Sequence, residues 1–422
     1  MRKFRINKSV ANACHIYKML KSHARGKHLS FHTPGHKVGK WDVTELAYTD
    51  NLASPNACIL QAETDVAKIL GAEKSFILTD GSTSGVFSML YASKKLGAKR
   101  ILAQSNSHKS VFNACAVLNL DLALFDGEDF AEQMQKADAL LLTSPDYYGN
   151  IPSLCEIAKR CKADNKLLLI DGAHGGHLHF DKSLHAGAYA DLWVDGVHKS
   201  LPAFTQGAVV SAKTQAGANA LYEGVQIFRT TSPSYPIMAS VEYAVKYPRN
   251  IKLEERVRAF AQTQPSRVQV NADYTKLCVR FGKSAFQAEK ELQTLGIYAE
   301  FCDGDWVVFY LSPATKISEL RALTKRLLVW FKKYPYLPQK PLEQIHTPLV
   351  FPKNTQTEWV QTENCAGRIC AGDCGLFPPC TPLIRKNERI ENDKIALIKQ
   401  ANNVYGVWEN KILVYKEDED AR

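Results

Sequence analysis

Between about residue 60 and residue 211, short apolar runs alternate with amphipathic stretches, and this alternation restricts the possible folds more than any other feature of the chain. A helical pattern over Ala62–Leu70 leads into apolar Ser75–Thr79. Thr83–Leu96 leads into Arg100–Gln104, and Lys109–Leu118 into Leu120–Phe125. Ala139–Thr143, a helical Leu154–Lys162, Lys166–Ile170, Leu192–Val194 and Ala208–Ser211 complete the series. Runs that are apolar at nearly every position suit strands covered on both faces. Their alternation with helices predicts an α/β fold built on a mainly parallel sheet.

The texture changes on either side of this series. Residues 1–45 read as a basic, helical N-terminal segment interrupted at Thr33-Pro-Gly-His36, and 46–245 as the large domain. Residues 246–422 read as a smaller C-terminal α+β domain. It holds strands at Lys276–Arg280 and Val307–Leu311, helices at Ala285–Leu295 and Arg321–Lys333, and a proline-rich crossing from Pro335 to Pro352. A last strand pair falls near Val404–Val407 and Ile412–Tyr415, and an acidic tail follows at Glu417–Asp420.

Composition narrows the partners. No apolar stretch approaches the roughly 20 residues of a membrane helix, and no secretory signal follows the basic start, so a cytoplasmic chain without a membrane partner is expected. The net charge of +10 is dispersed. Its densest cluster, Lys94–Arg100, reads as the end of an amphipathic helix, so no nucleic-acid partner is expected. The 11 cysteines are read as reduced thiols. Cys365, Cys370, Cys374 and Cys380 stand close together but lack the tight pairs of zinc sites, and no metal is expected.

Chemistry gathers at the ends of the apolar runs. Leu167–Ile170 ends in Asp171-Gly-Ala-His174, and the following run ends in Val197-His-Lys199. An acid closing one buried strand and a lysine just past the next suit pyridoxal phosphate (PLP). The lysine joins the cofactor aldehyde as a Schiff base, and the acid keeps the pyridine nitrogen protonated. A lysine in a surface turn satisfies the same spacing. Asp80-Gly-Ser-Thr-Ser-Gly85, between a strand and a helix, offers hydroxyls and free N–H groups to a phosphate, or an ordinary N-cap. His108, past the strand ending at Gln104, is placed to stack on a flat ring or to sit in a loop with no ligand. Thr143–Gly149 follows a strand on the edge where parallel sheets hold ligands, and also reads as a proline turn. Arg229-Thr-Thr-Ser-Pro-Ser-Tyr235 places hydroxyls beside an arginine, for a helix cap, a phosphate contact, or both.

Taken together these segments resemble the Orn/Lys/Arg decarboxylase family, in its short form. The resemblance runs in family order over about residues 28–390. Its segments are His32-Thr-Pro-Gly-His-Lys37, Asp42–Leu46, Thr79–Gly85, Ser107–Ser110, Asp171–Gly175, His198–Gln206, Thr231–Tyr235, Gly367–Ala371 and Phe377–Pro379. It implies a fold type I PLP-dependent (aminotransferase-like) large domain and decarboxylation of arginine, lysine or ornithine to an amine, a step of polyamine formation. Lys199 is then the Schiff-base lysine, Asp171 the partner of the pyridine nitrogen, and His108 the stacking group. Ser82, Thr83 and Ser84 surround the phosphate, while Ala173 and His174 lie against or near the cofactor. His198 sits beside the lysine and helps protonate the product carbon. The Thr231–Tyr235 turn, with Ser232 and Ser234, reaches a neighbouring subunit's site, which implies a homodimer or a higher homo-oligomer.

The chain departs from the family pattern at several points. Gly196 replaces a hydroxyl residue, Gly172 and Gly372 replace acids, Ala53-Ser54 replaces a histidine-bearing segment, and Cys380 follows the proline pair where glycine is usual. Glu363, Asp373 and Glu388 are the tail carboxylates considered for the substrate's far cation. Transamination, carbon–sulfur lysis, or a non-catalytic regulatory role are the alternatives.

Overall fold

Four consecutive strands of the large sheet are buried at nearly every position, and that requirement organises the first half of the chain. The computed structural model describes residues 6–37, 40–127, 130–336, 349–350, 352, 355–377, 380–401 and 403–416. Pro338, Pro341, Pro348, Pro378–Pro379 and Glu417–Asp420 lie outside them. The chain divides into two compact units. The first comprises Met1–Ser105, Ser110–Leu253 and Leu311–Thr315; the second comprises Asn106–Lys109, Glu254–Tyr310 and Lys316–Arg422.

The first unit opens with helices α1 (Lys8–Ala13), α2 (His15–Arg25) and α3 (Cys58–Leu70). β1 (Lys74–Leu78), α4 (Ser82–Lys95), β2 (Arg100–Gln104), α5 (Lys109–Leu118) and β3 (Asp121–Phe125) follow, then α6 (Ala131–Gln135), β4 (Ala139–Thr143), α7 (Leu154–Ala163) and β5 (Leu167–Gly172). After β6 (Leu192–Asp195) come the single turn α8 (Val197–Ser200), β7 (Ala208–Ala212), α9 (Gln215–Phe228), α10 (Tyr235–Val245) and the start of α11 (Ile251–Thr263). The strands form one seven-stranded sheet in the order β1-β7-β6-β5-β4-β2-β3. Only β7 runs against its neighbours, pairing antiparallel with both β1 and β6. The predicted mainly parallel sheet is present, with β7 as its exception.

Side chains alternate across this sheet, as strand geometry requires. Leu140, Leu168, Ile170 and Trp193 join the core under α2, α3 and α10. Leu141, Leu169, Leu192 and Val194 join the core under α4 and α9. α9 lies close on α4, and Gly224 permits the approach: a Cβ there would meet the Ser88 carbonyl oxygen at 2.7 Å. α2 is fastened by Glu242 of α10, whose carboxylate accepts the His15 and Ile16 N–H groups at 2.7 and 2.9 Å. These are N–H groups that the start of a helix leaves without intrahelical partners.

The second unit holds a four-stranded antiparallel sheet in the order β10-β11-β9-β8. Its strands are β8 (Val268–Gln269), β9 (Lys276–Arg280), β10 (Phe301–Cys302) and β11 (Trp306–Tyr310), with helices α12 (Ala285–Thr294) and α13 (Ile317–Lys333). α13 starts four residues before the predicted Arg321, because the Glu319 carboxylate accepts the Lys316 N–H at 3.0 Å and closes the first turn. Farther on lie β12 (Thr357–Gln361), β13 (Gly375–Leu376), α14 (Asn392–Gln400), β14 (Val404–Tyr405), β15 (Val407–Trp408) and β16 (Lys411–Tyr415). The predicted strand Val404–Val407 is split at Gly406, whose φ of 75° turns the chain. β14 therefore pairs with β13, while β15 pairs with β16. Cys365, Cys370 and Cys374 are buried in an apolar cluster with Ile384, Ile412 and Val414.

Candidate active site

Asp171 is the penultimate residue of β5 and is 2% exposed. Its Oδ1 accepts the Ala173 N–H at 3.1 Å. Burial raises its affinity for a proton, and the Lys199 charge opposes that effect. One strand over, β6 ends at Asp195 and the chain enters α8, which carries His198 and Lys199. Lys199 therefore sits on a helical turn past the strand. Its Nζ lies 3.2 Å from His174 Nε2. His174 is buried, and its ring stands edge-on to Tyr147 at a centroid distance of 4.8 Å. Asp171, Ala173, His174, His198 and Lys199 thus come together at the carboxyl ends of two adjacent strands, where open α/β sheets hold ligands.

Hydrogen bonds fix the state of His198. Its Nδ1 lies 3.0 Å from the Gly207 carbonyl oxygen, an acceptor, so the proton of the neutral ring is on Nδ1. Burial lowers its pKa and favours that neutral ring, leaving Nε2 as an acceptor. A proton-donating role therefore requires the ring to be protonated first.

Ser82, Thr83 and Ser84 form the first turn of α4, behind Gly81 at φ 89°. The N-cap residue Gly81 has no side chain with which to cap the opening N–H groups of this helix. Ser84 Oγ donates to Asp80 Oδ1 at 2.7 Å. Ser234 is the N-cap of α10, its Oγ accepting the Ile237 N–H at 3.5 Å, and Ser232 is exposed on the preceding turn. His108 lies on the loop after β2 and belongs to the second unit, where the neighbouring Lys109 N–H donates to the Cys380 carbonyl at 3.2 Å.

Two of the departures have steric causes. A Cβ on Gly196 would stand 2.3 Å from the Ala173 carbonyl oxygen, and one on Gly172 would stand 2.8 Å from that of Val194. This backbone leaves no room at either position for the side chains usual in the family. Among the tail carboxylates, Glu388 is buried, lies 3.6 Å from Lys394 Nζ and accepts the Arg385 N–H at 2.9 Å. Glu363 is largely exposed and pairs with Lys399 at 3.5 Å. Asp373 accepts the Lys386 N–H at 2.7 Å.

Behind the sheet edge lies a polar group that the sequence reading missed. Asp195 is 1% exposed and accepts from Trp193 Nε1 at 3.0 Å and from His185 Nε2 at 3.4 Å. His185 Nδ1 accepts the Gly187 N–H, so its ring proton is on Nε2. An acid ending the next buried strand after Asp171 was the available signal.

Known proteins match this arrangement over most of its length. The family model for the Orn/Lys/Arg decarboxylase major domain matches residues 38–121 and 128–264. The chain is 29% identical to the uncharacterized protein YaaO of Bacillus subtilis, over 96% of this chain and 99% of that one. It is 25% identical to an arginine decarboxylase of Bacillus anthracis, covering 91% and 92% of the two chains. The constitutive lysine decarboxylase of Escherichia coli superposes with a TM-score of 0.71 at 17% identity, over 97% of this chain and 83% of that one. The fold is that of the fold type I PLP-dependent enzymes. With more than half of its residues matched by the family model, the chain belongs to the Orn/Lys/Arg decarboxylase family.

Proposed function

We propose that the protein is a PLP-dependent decarboxylase of arginine, lysine or ornithine that works as a homodimer or larger assembly. The observation that carries this reading is the amine of Lys199, 3.2 Å from His174 Nε2 and beside buried Asp171 at adjacent strand ends. The donor set fits PLP: a part-buried lysine for the aldehyde, a buried acid for the ring nitrogen, and an uncapped helix start with hydroxyls for the phosphate.

In this reading PLP, when bound, supplies the electron sink for the pair left behind as carbon dioxide departs. The residues do the rest. Lys199 carries the amine that anchors the cofactor and later releases the product. His174 holds that amine in place and exchanges a proton with it. Asp171, as a carboxylate, keeps a proton on the pyridine nitrogen through the attraction between them, which is stronger in a buried, low-dielectric site. His198, pinned through Nδ1, presents Nε2 as a base that returns a proton once charged. Ser82, Thr83 and Ser84 bind the phosphate, and Ala173 packs against the ring. Ser232 and Ser234 lie on the turn that reaches the neighbouring subunit's site.

A product assay tests this directly. PLP-loaded protein is incubated separately with L-arginine, L-lysine and L-ornithine, with Lys199→Ala as control. One of agmatine, cadaverine or putrescine is expected from the wild type and none from the variant. If no amine forms in protein that retains its bound cofactor's visible absorption, decarboxylation of these three substrates is refuted.

A further inference from the structure

One carboxylate ties together two groups read above as phosphate contacts. Asp80 Oδ1 accepts the Ser84 hydroxyl at 2.7 Å, at the start of α4. Asp80 Oδ2 accepts the Thr230 N–H at 2.9 Å, some 150 residues away in sequence. Thr230 Oγ1 in turn accepts the Ser232 N–H at 3.2 Å and lies 3.3 Å from Ser232 Oγ. A continuous run of hydrogen bonds therefore joins Ser84, Asp80, Thr230 and Ser232.

The rest of the turn is fastened elsewhere. Arg229 donates to the carbonyls of Ile77 and Leu52 at 3.1 and 2.7 Å. Tyr235 Oη donates to the Asp50 carbonyl at 2.6 Å. Both anchors hold the ends of the 229–235 segment to the body of the unit, and Asp80 registers Thr230, and through it Ser232, to α4.

We propose that Asp80 is a positioning residue that sets the Thr230–Ser234 turn against the α4 N-terminus, so that α4 is in place for its own subunit's cofactor phosphate and the turn for that of the neighbouring subunit. This rests on the reading of Ser82–Ser84 as the phosphate cradle. Charge and position make opposite demands here. A carboxylate near a phosphate dianion repels it, so on charge alone Asp80→Ala would tighten cofactor binding. On position, losing the acceptor leaves the Thr230 N–H without its partner and frees the turn, which weakens binding. A hydrogen bond to a charged group is strong enough for position to win, by about tenfold in affinity. Asp80→Asn separates the two effects. Its amide oxygen can still accept from Thr230 and its amide nitrogen can donate to Ser84 Oγ, while the charge is gone.

The test measures PLP dissociation constants for the full-length wild type, D80A and D80N. Amide hydrogen exchange across residues 229–234 in the cofactor-free proteins is measured alongside. D80A is expected to bind about tenfold more weakly and to exchange faster over this turn, whereas D80N should exchange like the wild type and bind at least as tightly. If D80A does not fold, Asp80→Ser, which reaches neither partner, supplies the same comparison. D80A binding as tightly as the wild type or tighter, unchanged exchange, or a D80N as weak as D80A would each overturn the proposal. A wild type that fails to bind PLP would instead overturn the cofactor reading on which it stands.

Discussion

Replacing Glu63 by glutamine should remove a pH dependence of stability that the wild type carries. Glu63, on α3, is fully buried. Its Oε1 accepts the Ile77 N–H at 3.0 Å and lies 3.6 Å from Arg229 Nη1. Among the described residues its Oε2 has no hydrogen-bond partner. Burial lifts its pKa from 4.5 to about 7, against the opposing pull of Arg229. Between those values the unfolded chain has lost the proton and the folded protein keeps it. Unfolding then releases a proton, so stability falls as pH rises through this window and levels off above about 7. From about pH 5 to about pH 8 the loss amounts to between about 2 and 3 kcal/mol, at 1.36 kcal/mol per pH step. Glu63→Gln keeps an acceptor for Ile77 and does not titrate. Its offset from the wild type, including any effect on Arg229, is common to both pH values and cancels. Urea unfolding of both proteins at the two pH values reads the effect. The variant should gain between about 2 and 3 kcal/mol relative to the wild type on going from the lower to the higher pH. An offset that stays constant, or moves the other way, refutes the reasoning.

Other substitutions separate chemistry from packing. Asp171→Asn should lower turnover by on the order of 10²–10³, because the proton on the ring nitrogen loses its charged partner; a melting temperature at least as high as the wild type's at neutral pH would show that the loss is chemical. Gly196→Ser, which restores the family's hydroxyl, should cost about 1–3 kcal/mol of stability and weaken cofactor binding, because its Cβ meets the Ala173 carbonyl at 2.3 Å. A calorimetric scan together with a cofactor titration checks both effects. Gly224→Ala should destabilise by a similar amount through its 2.7 Å approach to the Ser88 carbonyl, despite alanine's better helix propensity; a rise in melting temperature would contradict the packing of α9 on α4.

The strands of the first unit were legible because their apolar runs are continuous and the breaks between them are sharp. Arg100–Gln104 and Ala139–Thr143 fall where the pattern places them. Helix α9 was not legible. Gly217 and Gly224 interrupt its helical signal, and their purpose is a close approach to distant backbone and side chains. The reversed direction of β7 left no mark either, since a strand buried on both faces looks the same read in either direction. The placement of Asp171 and Lys199 was legible because each stands at the end of a buried run. Single-turn α8 could not, because four residues are too few to show a period. Asp80 was read only as part of a phosphate-binding turn, since its second partner lies far along the chain at Thr230. Asp195 passed unnoticed for a related reason: its partners, Trp193 and His185, come together only when β6 and the loop before it fold.

The measurement closest to the central claim is the position of the cofactor's covalent link. Borohydride reduction of PLP-loaded protein, followed by proteolysis and mass spectrometry, locates the modified lysine. The phosphopyridoxyl group should be found on the peptide containing Lys199 at close to one per chain, and should be absent from Lys199→Ala. Stoichiometric labelling of any other lysine, or labelling that persists in the variant, would contradict the assignment of this site.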